Sequence, residues 1–250
     1  MKKIMNSKNF IDLKLIDNQQ RDLVLVLPGG GYSRTSDREA DPVANIFNNA
    51  GFHTAIYYYR ENLLLYPELQ KEGHEVIKYL NDLDSIKDIY LIGFSAGGHL
   101  AGILMTKFYE DIKGTILAYP VITSDLKFSH QGSINNLLGS LKSDDLLTEV
   151  SIEKQVHSKV NPVFIMHTID DRSVPVENSF LLLEALKKNH VFVEAHFYPY
   201  GVHGLSIATK EVCFEDMDPA LFEKEYGYIS KWTDLAVEFL ERIQNDKYIA

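Results

Sequence analysis

The chain has 250 residues and a formal net charge of −10, from 35 acidic against 25 basic side chains. Without a long basic run, that balance argues against nucleic acid and anionic membrane surfaces as partners. Hydrophobic residues make up 45% and charged residues 24%, an ordinary balance for one large α/β domain spanning residues 1–250. Cys213 is the one cysteine, which excludes an internal disulfide and leaves no thiolate metal site to expect.

Residues 1–7 (Met-Lys-Lys-Ile-Met-Asn-Ser) open like a secretory leader, but no apolar stretch follows them. No segment approaches the roughly 18 apolar residues of a membrane span. The expectation is a cytoplasmic protein. Residues 10–16 alternate apolar and polar side chains, an edge-strand pattern. Leu23-Val24-Leu25-Val26-Leu27 is apolar throughout, as in a central strand, and runs into the loop Pro28-Gly29-Gly30-Gly31-Tyr32. A helix is expected over 42–50, closed by Gly51, then a strand over 52–59. Residues 67–83 carry Leu69, Gly73, Val76, Ile77 and Leu80 on one helical face.

The next stretch organises the chain. Asp88-Ile89-Tyr90-Leu91-Ile92 is a short buried-strand run, and Leu100, Ala101, Ile103, Leu104 and Lys107 continue as a helix. Between them stands Gly93-Phe94-Ser95-Ala96-Gly97, a G-x-S-x-G turn from strand to helix. Such a turn strains the serine backbone and needs glycines where strand and helix close on it. It also presents the Ser95 hydroxyl beside the N–H groups that open a helix.

Residues 114–121 read as a further buried strand. Residues 122–160 are polar and broken, and Leu137-Leu138-Gly139 and Leu146-Leu147 anchor them as an ordered flap. A strand over 163–168, a helix over 176–189, a strand over 192–198 and an amphipathic helix over 228–243 complete the chain. Strands alternating with helices imply a mostly parallel sheet covered on both faces.

A serine hydroxyl needs a base, and the base needs a third group to orient it. In an open α/β sheet both belong in loops at the C-terminal ends of strands. Of nine histidines, His53, His74, His157, His190 and His196 fall elsewhere, and His99 lies one turn along the serine's own helix. His203, in Tyr200-Gly201-Val202-His203-Gly204, follows the last strand at the correct edge. Asp170 and Asp171 follow the preceding strand, and either completes the order Ser…Asp…His. Gly30, Gly31 and Ala96 offer backbone N–H groups for an oxyanion. A dinucleotide-type glycine turn would need G-x-G-x-x-G, which Tyr32-Ser33-Arg34 breaks.

With these residues in place, the chain resembles the α/β-hydrolases of the esterase/lipase group. More narrowly, it is similar to small bacterial esterases labelled acetyl-xylan esterase or xylanase-associated lipase. The likeness runs through 28–32, 93–101, 130–139, 167–179 and 201–204. The family's acid stands before x-x-Val-Pro, which selects Asp171; related esterases carry a histidine where this chain has Pro28. The resemblance implies an α/β-hydrolase fold with a short flap instead of a large lid. It implies a serine carboxylesterase for short acyl groups, such as acetyl on a sugar. Ser95, His203 and Asp171 would be catalytic, Gly30, Gly31 and Ala96 the oxyanion hole, and Tyr32 and His130 substrate-binding. No metal or organic cofactor is required, the partner is a small-molecule ester, and a homodimer stays open. The alternatives are an amidase such as an arylformamidase, or a binding module on a hydrolase scaffold. An oligopeptidase is disfavoured, since 250 residues leave no room for a gating domain.

Overall fold

The computed structural model describes residues 1–245; the last five residues of the expected 1–250 unit lie outside the described residues. Eight strands form one sheet: β1 (Lys2–Ile4), β2 (Phe10–Lys14), β3 (Arg21–Leu27), β4 (His53–Tyr58), β5 (Ile86–Phe94), β6 (Gly114–Ala118), β7 (Val163–Thr168) and β8 (Val193–Tyr198). Their order is β1-β2-β4-β3-β5-β6-β7-β8. β2 is antiparallel to β1 and β4, and the neighbours from β4 through β8 are parallel.

The helices are α1 (Asp41–Asn49), α2 (Glu68–Asn81), α3 (Ala96–Lys107), α4 (Gln131–Leu138), α5 (Asp144–Glu149), α6 (Glu177–Lys188), α7 (Pro219–Tyr226) and α8 (Trp232–Gln244). α1 and α8 pack on one face of the sheet, while α2, α3 and α6 pack on the other. The apolar run of β3 follows from this double cover. Leu23, Leu25 and Leu27 enter one core and Val24 and Val26 the other, so no position is left for a polar side chain. Among the described residues, no helix is long and apolar enough to cross a membrane.

Three expectations need correction. Residues 10–16 are not an edge strand: β1 pairs outside β2, with the register Lys3 to Ile11. Three exposed residues, Lys-Lys-Ile, carry no periodicity by which β1 is legible. The last long helix begins at Trp232, after a 3₁₀ turn over Gly227–Ile229. α7 was not expected, although Asp218 caps its first turn through Ala220 and Leu221 N–H and Pro219 occupies its first position. Residues 122–160 hold α4 and α5 and are tied to the rest of the chain by polar bonds and apolar side chains. Asn178 Oδ1 on α6 accepts from the N–H groups of Ile122 and Thr123, and α4 sinks Ile134, Leu137 and Leu138 into the core.

The strand-to-helix turn is built on backbone contacts. A Cβ on Gly97 would meet Leu27 O at 2.1 Å and Pro28 O at 2.4 Å, so α3 starts against the end of β3 itself. A Cβ on Gly93 would meet Gly97 O at 2.5 Å. Neither set of atoms belongs to a side chain that can swing away. Gly97→Ala is therefore expected to cost about 3 kcal/mol or more by urea denaturation. An unchanged midpoint would show that strand and helix separate more easily than this contact implies.

Candidate active site

Ser95 follows β5 and caps α3 with φ 51° and ψ −117°. Its backbone is held on both sides: Ser95 N–H donates to Ala118 O at 3.1 Å, and its carbonyl accepts from His99 and Val121 N–H. The side chain then has little choice of direction. Ser95 Oγ lies 2.8 Å from His203 Nε2, in the loop after β8, and His203 Nδ1 lies 2.7 Å from Asp171 Oδ2, after β7. A neutral imidazole with Nδ1–H donated to the carboxylate leaves Nε2 to accept from the serine.

The two aspartates divide their work. Asp171 is buried, and its Oδ1 accepts from Ser173 N–H at 2.8 Å and Val174 N–H at 3.0 Å. Burial alone would raise its pKa, but hydrogen bonds from His167 and His203 outweigh that and hold it well below the usual carboxylate range. The group stays an anion throughout mildly acid solution. Asp170 is exposed and reaches the His203 loop differently, accepting from Gly201 N–H at 2.7 Å.

Ser95 and His203 open onto a cleft of about 280 Å³ whose walls include Gly30, Gly31 and His130. The N–H groups of Gly30 and Gly31 donate to no acceptor among the described residues, and Ala96 N–H opens α3, where an intrahelical acceptor is missing by geometry. Gly30 has φ +127°, a conformation glycine adopts without a Cβ penalty. The Pro28 carbonyl accepts from Tyr59 Oη–H, and the Gly31 carbonyl from Asn136 Nδ2–H on α4 at 2.8 Å.

Tyr32 does not meet its expectation. It is fully buried, its hydroxyl donates to His99 Nδ1 at 2.9 Å, and it does not line the cleft. The glycine loop turns inward at that point, so an apolar ring next in sequence enters the core. Burial pushes His99 down to about 4, which keeps it neutral; its Nε2–H donates to Val150 O. His130 reaches the cleft and also caps α4, Nδ1 accepting from Ser133 N–H at 3.2 Å. Burial, and then the nearby His203, lower its pKa.

Sequence reasoning missed Glu39, which is buried beneath the glycine loop. Its Oε2 accepts from Gly29 N–H at 2.8 Å and its Oε1 from Tyr119 Oη–H at 2.6 Å. Burial and the Glu39 charge push the Tyr119 phenol well above its ordinary value, so it remains a donor. Tyr119 in turn accepts from Ser206 N–H at 2.8 Å, three residues past His203. Glu39 thus ties the glycine loop to the histidine loop. In the sequence it is one acid in a polar turn, Asp37-Arg38-Glu39, and nothing local marks it as buried. His167 was also missed: it spans Ser179 Oγ and Val174 O, 3.4 Å from Asp171 Oδ2.

Residues 52–234 match the prolyl oligopeptidase family. The chain belongs to that family. The matched span holds Ser95, Asp171 and His203, while the glycine loop lies before it. An acetyl ester-xyloside bifunctional hydrolase from Caldicellulosiruptor lactoaceticus is 32% identical, with a TM-score of 0.81 over 96% of this chain and 90% of that one. Endo-1,4-beta-xylanase B of Butyrivibrio fibrisolvens is 34% identical over 218 residues, covering 78% of this chain and 34% of the xylanase. Acetylxylan esterase of Xylanibacter ruminicola is 29% identical over 208 residues, covering 78% of this chain and 43% of the esterase. The chain thus spans about a third of the one relative and under half of the other. The fold is that of the α/β-hydrolases.

Removing the Glu39 carboxylate leaves Gly29 N–H and Tyr119 Oη–H buried without an acceptor. Glu39→Ala is expected to lose about 2–4 kcal/mol of stability. Amide exchange at residues 29–31 should accelerate more than exchange in β7. Equal acceleration in both places would mean that Glu39 supports the fold at large and not the loop.

Proposed function

We propose that this member of the prolyl oligopeptidase family is a serine carboxylesterase acting on short acyl groups, with acetylated sugars as its substrate class. The observation that carries this reading is the chain of contacts from Ser95 Oγ to His203 Nε2 and from His203 Nδ1 to Asp171 Oδ2. In the proposed reaction, Ser95 Oγ attacks the ester carbonyl while His203 takes its proton. The negative oxygen is received by Ala96 N–H and the amides of Gly30 and Gly31. Collapse of the tetrahedral intermediate expels the alcohol, which His203 protonates. Water then attacks the acyl-enzyme, His203 again moves the proton, and the acid is released with Ser95 restored. Asp171 stays ionised throughout and stabilises the imidazolium.

Three features support an ester with a small acyl group over a peptide. The cleft of about 280 Å³ has room for little beyond a short acyl chain and part of an alcohol. A relative named acetylxylan esterase and one named acetyl ester-xyloside hydrolase share 29% and 32% of their aligned residues with the chain. The flap over residues 122–160 carries two helices of 8 and 6 residues, not a gating domain.

The test is a panel of p-nitrophenyl esters from acetyl to octanoyl, acetylated xylo-oligosaccharides, N-formylkynurenine and a prolyl anilide. Acetyl esters should be turned over fastest, and a fluorophosphonate should label Ser95. Preference for the anilide or the formamide would overturn the reading, as would a protein inert to fluorophosphonate. Asp171→Asn should remain folded and lose about 10³–10⁴-fold in kcat, through the wrong imidazole tautomer. Asp170→Asn should lose far less, because it removes a loop contact and not the imidazole's partner.

His130 is proposed to hold the alcohol half. With Nδ1 accepting from Ser133 N–H, the neutral ring carries its proton on Nε2 as a donor for a sugar hydroxyl. His130→Ala should raise KM for an acetylated xylo-oligosaccharide about tenfold while changing p-nitrophenyl acetate little. Equal losses on both substrates would assign His130 to capping α4 alone.

A further inference from the structure

The turn that leads from the glycine loop to Glu39 also puts two arginines, Arg34 and Arg38, in the wall of the cleft. Arg38 is held in a fixed plane. Its Nε and Nη2 donate to Val212 O at 2.8 and 2.5 Å, and its Cζ lies 4.0 Å from the centre of the Phe214 ring. The remaining edge faces the histidine loop: a Cβ built on Gly204, next to His203, would lie 4.0 Å from Arg38 Nη1. Arg34 stands beside the glycine loop, its Cγ 3.0 Å from where a Cβ on Gly30 would stand, and is an exposed residue.

Neither arginine is in an ion pair among the described residues. Glu39, the acidic side chain on this cleft, has both oxygens engaged by Gly29 and Tyr119. In a chain of net charge −10, two arginines thus share this cleft with one buried carboxylate, and neither has an ion-pair partner among the described residues. A guanidinium without an ion-pair partner, its plane already held, suits a carboxylate that can take its free edge.

We propose that Arg34 and Arg38 form a subsite for a carboxylate on the alcohol half of the ester, so that the substrates are acyl esters of anionic alcohols such as acidic sugars. The proposal rests on the esterase reading, in which His203 protonates the leaving alcohol. That alcohol must then lie along the wall formed by His203 and Gly204, which is where Arg38 Nη1 stands.

The test compares 4-acetoxybenzoate with 4-acetoxybenzamide, two acetyl esters that differ in the charge of the leaving alcohol. The native enzyme should favour the carboxylate by about tenfold or more in kcat/KM, and about 0.5 M salt should reduce that preference. Arg38→Gln and Arg34→Gln should each bring the ratio toward one. Arg34→Gln changes an exposed side chain and keeps the test decisive if Arg38→Gln, which loses a tether to Val212, does not fold. Equal turnover of the two esters would overturn the proposal, as would a preference that survives the double variant. A preference shown only for a carboxylate on the acyl half, monophenyl succinate over its amide, would overturn it too. Calorimetry on Ser95→Ala separates the two readings. Tighter binding of the carboxylate than the amide, with no turnover of either by the native protein, would sustain the subsite and overturn the esterase.

Discussion

The backbone of Ser95, at φ 51° and ψ −117°, is the constraint to which the rest of the molecule answers. A non-glycine residue in such a conformation costs on the order of 1–3 kcal/mol and persists only where its surroundings over-determine it. Here they do. β6 takes the Ser95 N–H, the first turn of α3 and Val121 take its carbonyl, and the N-terminus of α3 is wedged on the last carbonyls of β3. Because these are backbone contacts in the middle of a doubly covered sheet, they cannot relax without separating β3, β5 and β6. Strain at one residue is thus held by the least deformable part of the fold, and the hydroxyl is delivered to the same point whatever the loops do.

The loops are positioned by buried polar bonds and not by apolar packing. Two buried carboxylates do most of this. Glu39 joins the glycine loop to Tyr119, and Tyr119 joins that pair to the backbone at Ser206. Asp171 gathers two backbone N–H groups of its own turn along with His203 and His167. A buried carboxylate is tolerated only when its oxygens are fully engaged, and that requirement gives these loops one arrangement. Apolar contacts alone would allow neighbouring packings of similar energy. His203 therefore meets Ser95 through a network that begins on the far side of the cleft.

The flap works by the same logic at lower cost. Its apolar anchors, Ile134, Leu137 and Leu138, seat α4 on the core, while Asn136 reaches the Gly31 carbonyl and Asn178 holds the flap's first residues. It is joined to the glycine loop on one side and to α6 on the other. The cleft between these parts is polar and carries Arg34 and Arg38 beside the buried Glu39, in a chain that is acidic overall.

The elements with strong local signals were legible from the amino acids alone. β3, β5 and β7 show as apolar runs because both faces of the sheet are covered, and the serine turn shows because backbone contact leaves only glycine at Gly93 and Gly97. Chain order and strand ends pointed to His203 and to a pair of aspartates. β1 was not legible, since three exposed residues form a strand only by borrowing the edge of β2. Burial decided the rest. Adjacent aspartates look alike in a turn, yet one side chain enters the core beside His167 while the other stays in solvent and reaches Gly201. Tyr32 reads as a loop aromatic facing the cleft until the chain's inward turn carries it to His99. Glu39 reads as surface, and becomes the hub of the loops because folding brings Gly29 and Tyr119, 90 residues apart in the chain, to its two oxygens. Local sequence determines backbone shape and which faces are apolar; which polar groups meet in the interior depends on long-range closure, and only the tertiary structure decides that.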